Sequence, residues 1–344
     1  MINCFYCSFV VTVESIIFES VKGSFITPYV LLAGVLLSSG ADAQEGGAGT
    51  FFTSPLSSNP AYTGTSGNSL VTLSYAALYP GYNMGTATIY GSWDSWFESL
   101  HGGAGLYVLE NRLGDILNDL RIGGTYAYHL QADRNLWINA GFTASLIHRS
   151  LNSSAVILPD QIDPLLGPVL PSGESVEGRS RTLFDASVGF LVRWYDFTGG
   201  LSISHIATPD LTGDAKSFSR LPRRYSIHGS YIFTFQRNRY GLEPVFAASY
   251  QGSAGYLLGG LVGRYDAFSV NLASHFSFPE GLSAFQAGVA VEAGAVEVGY
   301  NHLFTAGNQR VATPKTFSSV IVLRFTIPEG GKSAPQRAIN YPKL

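Results

Sequence analysis

The sequence predicts an all-β protein, a transmembrane antiparallel β-barrel of the outer-membrane type with about fourteen strands. Three observations carry that expectation. The first is the stretch Arg224–Phe235, RYSIHGSYIFTF, in which Tyr225, Ile227, Gly229, Tyr231, Phe233 and Phe235 share one parity. Arg224, Ser226, His228, Ser230 and Thr234 share the other. Such alternation marks a strand with one apolar and one wet face. Soluble strands usually stop near 5–6 residues, whereas a tilted strand needs about 9–11 to cross a bilayer. The second observation is composition. Of 344 residues only 13% are charged, beside 39 Gly, 19 Tyr and 22 Phe. That charge share is about half the usual one, yet no apolar run reaches the ~18 residues of a membrane helix. The third is loop length: long connections alternate with short ones along the chain, as in barrels with short periplasmic turns and longer outside loops.

Taken in order, the chain opens with a leader. Residues Phe25 to Leu37 form an apolar block after Lys22 and before Ser38-Ser39-Gly40-Ala41-Asp42-Ala43. That is the pattern of a cleaved secretory signal with an A-x-A site, so residues 1–43 are expected to be removed and Gln44 to begin the mature chain. Met1–Ser20 lacks a basic start and carries Glu14 and Glu19, which fits a spurious prefix with the true start nearer Val21. Cys4 and Cys7 make a lone C-x-x-C inside it, too little to support redox or metal chemistry. The mature chain is left without cysteine.

Residues 44–67 read as a periplasmic N-terminal arm. Two prolines and no period argue against regular structure, and Asn59-Pro60 favours a turn that Gly64 can close. Residues 68–327 form the barrel. Its strands are expected at Asn68–Leu78, Met84–Gly91, Gly102–Glu110, Arg121–Leu130, Leu136–His148, Arg181–Trp194 and Phe197–Ile206. They continue at Arg223–Phe235, Gly241–Gln251, Gly255–Tyr265, Ala267–Phe276, Ser283–Val291, Ala293–His302 and Thr316–Ile327. The long connections Arg149–Ser180, Ala207–Pro222 and Leu303–Lys315 all follow odd strands, which puts both chain ends in the periplasm. Residues 328–344 read as a flexible periplasmic tail. One even connection, Ser92–His101, is long and holds Trp93, Trp96 and Phe97. It reads either as part of an interfacial aromatic girdle or as a docking patch, since aromatic anchors dominate protein interfaces.

Catalytic signals do not appear. His129, His228 and His275 fall on polar strand faces, without the spacing and carboxylate partners of a metal site, and no cofactor motif is present. Ser204 and His205, like Ser145 and His148, alternate across the sheet and cannot form a catalytic pair. The inner charges Arg121, Asp185, Arg193, Arg224, Glu243 and Glu292 could line a pore or pair across the lumen, and pairing inside a narrow, filled barrel is the more frequent outcome at this size. A net charge of −3 gives no reason to expect nucleic acid.

At Phe52–Gly64 the pattern F-x-x-P-x-x-x-N-P-A-Y-x-G precedes the first strand, and Gly102–Leu130 reads GGAGLYVLENRLGDILNDLRIGGTYAYHL. Together they resemble the opening and the early strands of the PorP/SprF family of Bacteroidetes outer-membrane proteins. Departures are the prefix, the tail after Phe325 and a short first hairpin at Tyr79–Asn83. The resemblance implies a non-enzymatic barrel of the type IX secretion system, in the outer membrane of a Gram-negative bacterium. Such proteins support export and gliding motility, associate with periplasmic ring and peptidoglycan-linking proteins, and in some cases serve one cargo. Asn59, Pro60, Tyr62, Gly64, Trp93, Trp96 and Phe97 are then the expected partner-binding residues, with the Phe52–Gly64 segment either presenting Tyr62 to a partner or sealing the barrel mouth. The alternative is a substrate channel of the hydrocarbon-transporter type, also fourteen-stranded. Those channels carry a sizeable helical plug, for which residues 44–67 are too short.

Overall fold

The structure, a computed structural model, describes residues 52–78, 85–152, 159–163, 166–169, 180–211, 220–235, 239–278, 281–305 and 317–328. The expected signal, its prefix, the start of the arm and the tail beyond Pro328 lie outside them. The strands are β1 (Ser69–Leu78), β2 (Thr86–Phe97), β3 (Gly102–Leu113), β4 (Leu117–Asp133), β5 (Leu136–Leu151), β6 (Ser180–Trp194) and β7 (Phe197–Ser204). After them come β8 (Arg224–Tyr231, continued by Phe233–Phe235), β9 (Tyr240–Gln251), β10 (Ala254–Tyr265) and β11 (Phe268–Phe278). β12 (Gly281–Ala293), β13 (Val296–Thr305) and β14 (Phe317–Ile327) complete the wall. Each pairs antiparallel with its sequence neighbours. The ring closes where β1 pairs with β14, Ser69 opposite Ile327 and Leu78 opposite Ser318. It is a closed fourteen-stranded barrel. Closure matters because a lipid-exposed sheet edge would leave backbone groups without partners.

β8 is one strand in two pieces for an identifiable reason. Its ladder with β9 runs from Arg224 opposite Gln251 to Ser230 opposite Val245, then resumes at Phe233 opposite Leu242 in the same register. Pro244 sits in the gap, and proline has no N–H to donate.

The alternation read from the sequence sorts the two faces. Leu272 is 62% exposed on the outer wall while its neighbour Asn271 is 3% exposed inside. Tyr225, Ile227 and Tyr231 likewise face outward, with Ser226, His228 and Ser230 buried in the lumen. Outside, the large apolar side chains supply the band that lipid covers. Of the six charges expected inside, Glu243 and Asp185 are paired, each with a residue outside the six, and Glu292 stands exposed. Arg264 bonds Glu243, His205 Nδ1 lies 2.7 Å from Asp185 Oδ2, and Arg324 Nη1 lies 2.6 Å from Glu297 Oε1. No described helix is long and apolar enough to span a membrane.

Two expectations need correction. β2 does not end at Gly91 but runs to Phe97, so Trp93, Trp96 and Phe97 belong to the wall rather than to a long turn. Only a single 3₁₀ turn, Glu98–Leu100, and His101 at φ 50° connect it to β3. Alternation continues through SWDSWF, with Ser92 and Asp94 facing in and Trp93 facing out, and the ladder with β3 carries on to Phe97 opposite Gly102.

The second correction concerns the arm. From Phe52 onward it does not hang free at the barrel's end; it folds into the lumen, and Leu56, Asn59, Ala61, Tyr62 and Thr63 are all buried there. Phe52–Gly64 therefore lies where the second of its two expected roles, a seal, would place it. The segment is short, but a plug need not be a large helical domain. One helical turn, Pro55–Ser58, and one 3₁₀ turn, Pro60–Tyr62, suffice here because the wall carries side chains that reach in to meet it.

Candidate functional site: a lumen seat for the amino-terminal segment

The plug's shape is written locally. Pro55 and Pro60 each open a helical turn, where a missing N–H is no loss. Asn59 caps the second turn, its side-chain Oδ1 accepting from Ala61 N at 2.9 Å. Thr63 Oγ1 donates back to Pro60 O at 2.8 Å, and Thr65 Oγ1 to Tyr62 O at 2.7 Å. The Asn-Pro-Ala-Tyr-Thr run is thus a self-closed knot before it touches anything else.

The wall then receives it. Asn59 Nδ2 reaches Phe190 O at 3.2 Å, Leu201 O at 3.3 Å and His228 Nε2 at 3.1 Å. Tyr62 Oη lies 3.2 Å from His228 Nδ1, with the two rings stacked at 5.2 Å. These contacts fix the histidine's proton. Since Asn59 Oδ1 accepts from Ala61, the group facing His228 is the amide nitrogen, a donor only. His228 Nε2 must therefore accept, and a neutral ring then carries its proton on Nδ1 and donates to Tyr62 Oη. Burial, and then the Glu243 carboxylate, push the Tyr62 hydroxyl above the ordinary phenol range, so it stays protonated.

Further along, Thr63 Oγ1 meets Thr125 Oγ1 at 2.9 Å, and Thr63 O accepts from His129 Nε2 at 2.9 Å. Gly64 N donates to Asp94 Oδ2 at 2.7 Å. Upstream, Ser202 Oγ donates to Ser58 O at 2.8 Å, Leu56 N to Tyr90 Oη at 3.2 Å, and Arg324 Nη2 to Phe52 O at 3.3 Å. Apolar anchors complete the fit. Leu56 packs with Tyr90 and Tyr107, and Phe52 and Tyr62 pack with Val245, Leu258 and Val262.

Glycines make room for this. A Cβ on Gly103 would lie 2.3 Å from Thr63 O, one on Gly141 2.4 Å from Ala61 N, and one on Gly189 2.0 Å from Asn59 Oδ1. Gly64 itself has φ +75°, and a Cβ there would meet Gly103 Cα at 2.5 Å. Five strands, β2 to β6, thus lose side chain or turn polar groups toward the same short segment.

The expected partner-binding residues divide accordingly. Asn59, Pro60, Tyr62 and Gly64 converge on the lumen seat, where they are buried. Trp96 faces the same interior, its ring 4.9 Å from that of His129. Trp93 and Phe97 remain on the outer side of β2, edge to face at 6.5 Å. Sequence reading placed His228 and His129 on polar faces but did not join them to the arm. The signal available was the cap-forming Asn-Pro itself, whose amide needs a partner once buried.

At the opposite end, where the longer loops lie, Leu211 and Leu221 pack on the inward-facing Ile147, with the His205–Asp185 pair beneath them. On the outer face His148 Nε2 lies 3.0 Å from Ser180 Oγ, but its Nδ1 meets the Thr182 hydroxyl at 2.9 Å rather than a carboxylate. A hydroxyl gives an imidazolium little of the support that an orienting carboxylate gives in a hydrolytic triad. Among the described residues no three His, Cys, Asp or Glu side chains gather as a metal site would need.

A family model for the type IX secretion system membrane protein PorP/SprF matches residues 42–325, from just ahead of the plug through the last strand. The chain belongs to the PorP/SprF family. Among solved structures it is similar to the Ralstonia pickettii toluene transporter TbuX, with 11% identity over 81% of this chain and 94% of that one, at a TM-score of 0.50. The Pseudomonas putida toluene transporter TodX is similar at 12% identity, over 83% and 95% of the two chains, with a TM-score of 0.49. The Acinetobacter baumannii outer membrane protein Omp33 follows at 7% identity, over 76% and 100%, with a TM-score of 0.45. At 11% identity the likeness to TbuX is one of fold alone. Among curated proteins no match is found.

Proposed function

We infer that this PorP/SprF barrel acts without catalysis in the outer membrane, as a docking component of the type IX secretion machinery that engages a periplasmic ring or peptidoglycan-linked protein. Export by a cleaved signal ending at Ala43 delivers it there. The observation that supports docking, beyond family membership, is the Trp93–Phe97 pair on β2. It stands beside the single 3₁₀ turn Glu98–Leu100, at the end of the barrel where β1 begins and β14 finishes. Large aromatic side chains held in place by a strand offer contact area with little entropy left to lose on binding.

The test replaces Trp93 and Phe97 together with Ala and leaves Trp96, which the lumen needs. Docking expects a membrane-inserted, heat-modifiable barrel that no longer supports export or co-purifies its partner. A double variant that exports normally returns the pair to the role of a headgroup-level girdle.

A further inference from the structure

The outer wall is recessed across β10, β11 and β12. Gly259, Ser274 and Ala287 share the outward parity there, and the ladders join them into a floor. Gly259 stands opposite Ser274, and Ala287 stands between Leu272 and His302. A Cβ on Gly259 would meet nothing within 4 Å. Leu272 forms one flank, Phe285 and Phe304 the other, and the cleft they bound measures about 590 Å³. That volume falls within the range of small-molecule sites, about 300–1,000 Å³.

The cleft leads to a polar cluster on β13 and β14. His302 Nδ1 lies 3.2 Å from Tyr300 Oη and 3.3 Å from Ser319 Oγ, and the two hydroxyls are 3.1 Å apart. The His302 ring stands edge to face with Phe304 at 4.6 Å, which joins the cluster to the cleft's flank. Among the described residues of β10–β14, no other imidazole and no Lys or Arg has outward parity. A neutral imidazole protonated on Nδ1 can donate to one hydroxyl, and that hydroxyl to the other. The last O–H is then left over. Hydrocarbon offers it no acceptor, so its place on the lipid face is costly unless a ligand meets it.

Depth and shape select that ligand. His302 and Ser319 are the fourth and third residues from the ends of β13 and β14 at the barrel end that carries the long connections. Gly259 and Ala287 are the sixth and seventh from the corresponding ends of β10 and β12. The cluster therefore lies nearer the headgroups, and the cleft runs deeper into hydrocarbon. A cleft one outward residue wide admits a flexible chain but not the convex wall of a second barrel. With no cation beside it, the cluster suits an uncharged linkage rather than a phosphate. We propose that the cleft binds one hydroxyacyl chain of lipid A, the glycolipid of the outer leaflet. The chain lies over Gly259, Ser274 and Ala287, and its amide and hydroxyl meet the Tyr300–His302–Ser319 cluster. A phospholipid ester brings acceptors alone, whereas a hydroxyacyl amide also donates and so matches a cluster holding both kinds of group. The choice of leaflet rests on the orientation inferred from loop lengths, and nothing in the site depends on docking.

The experiment is native mass spectrometry of the full barrel in mild detergent, after addition of lipid A or of phosphatidylethanolamine. Wild type is expected to retain one lipid A, and to hold phosphatidylethanolamine at least tenfold less tightly. Ser274→Leu with Ala287→Leu fills the cleft with apolar side chains that the lipid face tolerates, and should weaken lipid A at least tenfold. Tyr300→Phe with Ser319→Ala removes both hydroxyls but leaves the cleft open. It should weaken lipid A at least fivefold and leave phosphatidylethanolamine unchanged. Heat-modifiable migration confirms that each variant is a folded barrel. Failure of wild type to retain lipid A overturns the proposal, and so does phosphatidylethanolamine held equally well. A folded variant of either kind that keeps wild-type retention of lipid A overturns it too. Binding to the purified barrel needs neither export nor a partner, and single-cysteine labelling on intact cells tests the orientation separately.

Discussion

One methyl group, added at two places in the same wall, should have opposite consequences. A Cβ on Gly189 would stand 2.0 Å from Asn59 Oδ1 and 3.0 Å from Pro60 Cδ, whereas one on Gly259, on the outer face, meets nothing within 4 Å. To accommodate Gly189→Ala, Asn59 must retreat by roughly 1 Å or more to reach ordinary contact. That breaks its bond from Ala61 N and its contact with His228. Two hydrogen bonds at about 0.5–1.5 kcal/mol each add to about 1–3 kcal/mol of overpacking. The lower entropy of an unfolded Ala offsets about 0.4–1 kcal/mol. The balance is about 1–5 kcal/mol against the seated plug, centred near 3, or roughly a 5- to 4,000-fold rise in the unseated population. The assay is the maleimide reactivity of Ser58→Cys, a buried plug position, in a chain whose two other cysteines, Cys4 and Cys7, are changed to Ser. Labelling should accelerate at least about 5-fold with Gly189→Ala and stay unchanged with Gly259→Ala. Equal rates in the two backgrounds, with both barrels heat-modifiable, would refute the seat as drawn.

The outer face makes its own prediction: Leu272→Arg, in mid-strand and facing lipid, should cost about 2–4 kcal/mol of barrel stability, while Tyr231→Arg, near the turn end opposite Phe197, should cost about 0–1 kcal/mol. Chemical unfolding in lipid measures both, and equal costs would mean that the lipid band is misplaced. Orientation is tested by single cysteines. One in the Arg149–Ser180 connection should label on intact cells, and one in residues 328–344 should not; labelling of the tail from outside would invert the topology.

The sequence by itself determined the barrel. Alternation is a local signal, because adjacent strand residues must point to opposite sides whatever the rest of the chain does. It therefore placed Tyr225 and Ile227 in lipid and Ser226 and His228 inside, counted the strands, and separated long loops from short turns. It missed the last six residues of β2, where an aromatic run resembling a girdle hid a strand that simply continues. What only the tertiary structure decided is what meets across the lumen. Asn59 and His228 are 169 positions apart, and nothing in either neighbourhood names the other. Their contact requires the ring to close, the arm to turn inward, and glycines at 103, 141 and 189 to withhold their side chains at matching heights. Each of those glycines looks in the sequence like any other glycine in a strand. Their shared purpose exists only in the closed barrel, where the space left by one strand is filled by a segment that precedes them all.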